Sequence, residues 1–280
     1  MNSARIPYQF RKKQRAARRK LLILGLCAIL VGLGAVTAYR NHSKQSGLAA
    51  GLNLLHSVGS SVKSVSADTG SCPGAVGSSP KVGIQAGHWQ TDQMPDELSS
   101  LRWDFGASSG GVNEVDVNLD VAKKTVAILQ KDGISVDLLP ATVPPGYCAN
   151  AFVAIHADGN DVTSVYGYKT AGSYWDASDK SLTLSDDINQ DYGQVTGMNQ
   201  NPAITDNMDQ YYAFNFQKFN HAIAPQTPGA IIELGFVSNP TDQAILTGDS
   251  QLLAQGVAQG VVDFLNGKVA PTPTPTDNSN

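Results

Sequence analysis

Glutamate is scarce in this chain. The 24 acidic residues among 280 include only Glu97, Glu114 and Glu233 as glutamates, so a glutamate set inside an apolar run asks for a chemical reason. A glycine-rich phosphate loop with its lysine is also missing. Acids are absent from the first twenty residues, where Arg5, Arg11, Lys12, Lys13, Arg15, Arg18, Arg19 and Lys20 cluster. The net charge of -4 therefore conceals a distinctly acidic body. Such a body is a poor surface for phosphate backbones and argues against nucleic acid as a partner.

What is present has a clear order. After the basic segment 1–20, residues 21–39 form an uncharged apolar run long enough to cross a bilayer. Read as a single N-terminal transmembrane helix, it leaves 1–20 in the cytoplasm and the remaining chain across the membrane. Val36-Thr37-Ala38 resembles a small-residue cleavage site, so a cleaved signal and a secreted product are the competing reading. Residues 40–80 read as a flexible stalk, 81–267 as one globular domain, and 268–280, alternating Pro and Thr, as a disordered tail. Cys27 falls inside the membrane run, which leaves Cys72 and Cys148 as an even pair in a compartment where disulfides persist. Each shortly precedes an expected strand. They bridge if those strands are neighbours, and otherwise remain two thiols that never approach.

Within the domain, strands are expected at 82–85, 134–139, 152–155, 165–169 and 230–234, and helices at 182–195, 251–265 and from Glu114 onward, with Asn113 as N-cap. The stretch from Thr196 to Tyr212 is rich in Asn, Asp and Gln and reads as a surface loop. Strand, helix, strand order implies an α/β domain with a parallel sheet. Functional groups in such sheets collect at the carboxyl ends of strands. There His88 follows Gly87, His156 ends an apolar run, and Glu114 opens a helix, where the macrodipole alone would favour a carboxylate. Glu233 has no such ordinary explanation. It lies among Ile231, Ile232 and Leu234, and burying an unpaired carboxylate costs on the order of several kcal/mol. Two imidazoles and one carboxylate are the ligand set of a catalytic zinc with an open fourth position. Such an ion acidifies water and polarises a carbonyl, leaving the remaining glutamate as general base and then acid.

Four segments carry a family resemblance: Ile84 to His88, Glu114 to Ala122, Val153 to Asp158, and Ile231 to Pro240. They resemble, in order, the motif blocks of the zinc-dependent N-acetylmuramoyl-L-alanine amidases, and the likeness spans about Val82 to Leu265. It implies Zn2+ held by His88, Glu114 and His156, with Glu233 as the catalytic carboxylate. It further implies a twisted, mostly parallel sheet with helices on both faces, and cleavage of the amide between N-acetylmuramic acid and the L-alanine of the stem peptide in peptidoglycan. Two departures stand out. Trp89-Gln90 occupies positions where the family carries further glycines, and Leu139 to Cys148 lacks the family's arginine. Neither touches a ligand. His221 either faces the groove or is a loop histidine without duty. No repeat-type wall-binding module is visible, so a membrane tether on the extracytoplasmic side is the expected placement device. The sequence leaves open whether a protein activator is required.

Two other functions compete for these residues. Cys148 as a nucleophile with His156 leaves Glu114 and Glu233 unexplained. A degenerate domain that binds wall polymer or recruits a partner without cutting has to explain why all four chemical positions are intact.

Overall fold

The computed structural model describes residues 79–176 and 178–267. The basic segment, the apolar run, nearly all of the stalk, Cys72 and the Pro/Thr tail lie outside them. Among the described residues no helix is long and apolar enough to cross a membrane.

The chain runs through β1 (Lys81–Ala86), a small hairpin of β2 (Ser108–Ser109) and β3 (Val112–Asn113), and α1 (Glu114–Lys131). Next come β4 (Ser135–Leu139), β5 (Ala151–Asp158), β6 (Lys169–Gly172), α2 (Lys180–Thr196) and the one-turn α3 (Asp206–Asp209). The domain closes with β7 (Gly229–Phe236), α4 (Pro240–Gly248) and α5 (Ser250–Leu265). Five strands form one sheet in the order β4-β1-β5-β7-β6. All neighbours are parallel except β6, which runs antiparallel to β7 at the edge. The α/β expectation and the mostly parallel sheet therefore hold.

Local chemistry sets several boundaries. Glu114 and Asp116 occupy the first turn of α1, where the helix dipole favours negative charge, and Lys131 the last. Asn113 stands at the N-cap position with extended backbone but makes no capping bond; its side chain reaches Ser108 and Asp116 instead. Pro240 at the start of α4 follows Asn239, whose side chain accepts from Thr241 N and Asp242 N.

Strand alternation divides the sheet into two unlike faces. Val82, Ile84 and Ala86 of β1, Val153 and Ile155 of β5, and Ala230 and Ile232 of β7 join one buried core with Val121 of α1, Ile188 of α2 and Val257 of α5. Each fully buried Val or Ile side chain there contributes about 1.5–3 kcal/mol. Close packing of α5 on α2 depends on glycine: a Cβ at Gly260 would lie 2.4 Å from Ile188 Cα, and one at Gly256 2.9 Å from Tyr192 Cα.

The opposite face corrects the expectation of helices on both sides. The three long helices belong to the first face, and the second is covered by irregular chain. Phe152 packs edge-on against Tyr147 at 6.3 Å and Phe214 at 6.1 Å, both from connecting segments. Two strand limits are corrected as well. β5 continues to Asp158, so His156 sits within a strand rather than beyond its end. The edge strand is Lys169–Gly172 and not 165–169, because Gly167 turns at φ 94° immediately before it.

Candidate metal centre

The second face carries the site. β5 and β7 pair in parallel with His156 opposite Glu233, so both side chains project from the loop-covered face. His88 arrives from β1 through Gly87, whose missing Cβ leaves room for the His156 ring; a Cβ there would lie 2.3 Å from His156 Cε1. His88 itself adopts a left-handed backbone, φ 62°, strained for a residue with a side chain. Glu114 enters as the first residue of α1, after the hairpin has turned the chain back toward the sheet.

These elements bring His88, Glu114 and His156 together, with one ligand-type atom from each lying within 4.8 Å of the others. His88 Nε2 is 3.3 Å and His156 Nδ1 is 3.0 Å from the same oxygen, Glu114 Oε1. The two imidazole rings meet edge-on at 5.0 Å. Three donors hold the carboxylate in place: Ala107 N to Oε2 at 2.8 Å, and Asn118 Nδ2 at 3.2 Å and Ala157 N at 3.3 Å to Oε1. Asn118 also donates to the Gly87 carbonyl at 3.2 Å, joining the helix to the turn that presents His88.

The electrostatics suit a cation at the centre. Burial opposes ionisation of Glu114, yet the hydrogen bonds and charge of His156 and His88 outweigh it and hold its carboxyl well below the usual carboxylate range. Burial likewise opposes a charged His88, but Glu114, with Asp104 behind it, raises its pKa to about 9. His88 Nδ1 lies 2.8 Å from the Asp104 carbonyl. A carbonyl only accepts, so Nδ1 carries a proton and a neutral His88 turns the lone pair of Nε2 on Glu114. A lone pair facing a buried carboxylate is satisfied by a proton or by a metal ion. One carboxylate oxygen and two imidazole nitrogens suit a divalent ion of the zinc kind.

Glu233 stands beside this cluster rather than in it. Its Oε2 is buried and has no hydrogen-bond partner among the described residues. Burial pushes its carboxyl well above the ordinary range, and the negative charges of Glu114 and Asp158 push it further, against Lys169 and His88. Lys169, its register partner on β6, is buried and pairs with Asp158 instead. Two adjoining cavities of about 560 and 720 Å³ share His88, His156, Asp158 and Glu233, so the cluster lies on the floor of one long groove. No Lys or Arg is among the residues lining either cavity.

Other expectations fare differently. His221 does not line either cavity: its Nδ1 contacts Glu97 Oε1 at 2.7 Å, and Glu97 also accepts from the backbone of Asn220 and His221. The pair ties the turn at Asp96–Leu101 to the distant segment before β7. Cys148 lies half-buried in the loop before β5 and accepts from Gln226 Nε2 at 3.4 Å, while Cys72 lies outside the described residues. Tyr211 was missed. It falls in the stretch read as a surface loop, yet it is buried, and its hydroxyl lies 3.1 Å from His156 Nε2. Its signal in the sequence was the apolar run Tyr211-Tyr212-Ala213-Phe214 that closes the polar stretch.

Residues 145–263 match the family described as N-acetylmuramoyl-L-alanine amidase. The chain resembles these amidases. The matched span includes His156 and Glu233 but begins after His88 and Glu114, whose place in the site rests on the geometry above. The probable cell wall amidase LytH of Staphylococcus epidermidis strain RP62A is 30% identical over 173 residues, covering 58% of this chain and 53% of that protein. The chain thus spans about half the length of the curated relatives it matches. Among solved structures, the amidase Ami1 of Mycobacterium abscessus aligns at TM-score 0.49 and 20% identity, covering 66% of this chain and 98% of that one. The amidase CwlD of Clostridioides difficile, in complex with the lipoprotein GerS, aligns at TM-score 0.47 and 19% identity, covering 67% and 99%.

Proposed function

We propose that this protein is a zinc-dependent N-acetylmuramoyl-L-alanine amidase that hydrolyses the amide between the lactyl group of N-acetylmuramic acid and the first L-alanine of the stem peptide in peptidoglycan. The observation that carries the reading is the convergence of His88, Glu114 and His156 on one point of a groove floor, with Glu233 Oε2, unpartnered among the described residues, beside it. The resemblance to the amidase family and to LytH supports the bond and the polymer.

His88, Glu114 and His156 would hold the ion. When bound, Zn2+ supplies Lewis-acid polarisation of the scissile carbonyl and lowers the pKa of a water. Glu233 takes a proton from the attacking water and returns it to the alanine nitrogen as the C–N bond breaks. The open groove admits a polymer from either side of the cluster. We further propose that residues 21–39 anchor the chain with its domain on the extracytoplasmic side, where the wall is, and that Cys72 and Cys148 form a disulfide there.

Digestion of purified peptidoglycan tests the reaction. New N-terminal alanine amines should appear, with no new reducing sugar ends. Reducing ends without alanine amines would mean a glycosidase and would overturn the reading.

A further inference from the structure

Tyr211 and Tyr212 meet the three-residue cluster only through His156, and the reaction proposed above makes no use of them. We propose that their hydroxyls form a one-way relay that fixes which nitrogen of His156 carries its proton, and so presents Nδ1 to the metal. They are positioning residues.

The direction of the relay follows from its far end. The Ala141 carbonyl can only accept, so the Tyr212 hydroxyl, 2.5 Å away, donates to it. A tyrosine has one hydroxyl proton. Tyr212 is thereby committed, and its oxygen receives the Tyr211 proton across 3.0 Å. Tyr211 is then committed as well, and its 3.1 Å contact with His156 Nε2 is filled by an Nε2–H donating to the phenol oxygen. A neutral imidazole with its proton on Nε2 bears its lone pair on Nδ1, the atom that lies 3.0 Å from Glu114 Oε1. The carbonyl that sets this polarity is itself fixed: Ala141 O also accepts from Gln85 Nε2 at 2.6 Å, and Ala141 N donates to the Trp89 carbonyl at 2.8 Å.

Both imidazoles are thus oriented by acceptors behind them, but by different means. His88 has a backbone carbonyl in direct contact, that of Asp104. His156 projects from the sheet toward aromatic chain and reaches its carbonyl only through two phenols. A partner behind a ligating histidine fixes its tautomer and ring angle, and losing such a partner typically weakens metal binding roughly 10–100-fold.

The inference rests on the zinc-site reading, and the two fail in different ways. The test measures zinc affinity, by competition with a chromogenic chelator, for the full-length protein and for Y211F, Y212F and Y211F/Y212F. Nitrogen NMR of the zinc-loaded proteins then reports which His156 nitrogen carries the proton. Wild type should show Nδ1 coordinated and Nε2 protonated. In Y212F the freed Tyr211 proton can turn back to Nε2, moving the imidazole proton to Nδ1, and zinc binding should fall about 10–100-fold although Tyr212 touches no ligand. The double variant should be no worse than Y211F, because the relay acts as a unit. Should Y211F fail to fold, Y212F alone decides. Wild-type affinity with Nε2 still protonated in Y212F, or coordination through Nε2 in wild type, overturns the relay and leaves the zinc reading standing. A wild-type protein that takes up no zinc overturns both.

Discussion

Glu233→Gln separates the proposed base from the proposed ligands. Gln keeps the volume of the side chain and removes its charge. Glu233 is not among the three residues whose ligand atoms converge, so zinc content should stay near wild type. Turnover should not, because an amide neither takes a proton from water nor delivers one to a departing amine. General acid–base catalysis is typically worth about 10²–10⁴-fold, which at about 1.36 kcal/mol per tenfold is roughly 3–5 kcal/mol of barrier. Stability gives an independent check. Burial and the neighbouring acids raise the carboxyl pKa of Glu233 in the folded state. An acid with a raised folded pKa costs nothing below its unfolded value of about 4.3 and destabilises as pH rises from there toward the folded value. Metal-free wild type should therefore lose stability relative to Glu233→Gln over that rise, followed as melting temperature against pH. The assay pairs metal analysis with release of alanine amines from peptidoglycan. A variant that loses its zinc makes Glu233 a ligand, and one that keeps full activity places the base elsewhere; either result refutes the division of labour.

Glu114→Ala should lose zinc and activity together, and also about 1–3 kcal/mol of stability, because Ala107 N, Asn118 and Ala157 N lose their acceptor; full zinc occupancy by metal analysis would remove Glu114 from the ligand set. Gly87→Ala puts a Cβ 2.3 Å from His156, so the ring must move: zinc affinity should fall more than about tenfold, with an overpacking cost of about 1–3 kcal/mol in denaturant unfolding, and an unaffected variant would mean that His156 is not held where described. Protein made in an oxidising compartment should yield a Cys72–Cys148 linked peptide in non-reducing mass spectrometry and lose roughly 2–4 kcal/mol on reduction; two alkylatable thiols would disprove the bridge.

The first face of the sheet was legible because its partners are periodic. Val117 and Val121 in α1, or Leu253, Val257 and Val261 in α5, recur at helical spacing and are buried where that spacing implies. The second face was not, for a reason visible in β5: Phe152 and Ala154 are as apolar as Val153 and Ile155, which suits a strand covered on both sides. A parallel strand of this kind leads one to expect a second helical layer. Here the cover comes from Tyr147, Phe214 and Ile223, in connections with no period to detect. Of the candidate site, His88, Glu114, His156 and Glu233 stood out because each is an unusual residue at a meaningful place. Tyr211 was hidden by an Asn- and Asp-rich neighbourhood that masks a buried phenol.

The two halves of the site owe their positions to different forces. His156 and Glu233 are neighbours on hydrogen-bonded central strands, in register, so their separation is fixed by the ladder itself. His88 and Glu114 bracket a long connection held by a handful of bonds: Glu114 Oε2 to Ala107 N, His88 Nδ1 to the Asp104 carbonyl, and Gln243 Nε2 to Ser109 O. Both halves converge on a single carboxylate oxygen, Glu114 Oε1, which each imidazole approaches from its own side. A shared cation at that point would join the connection to the sheet.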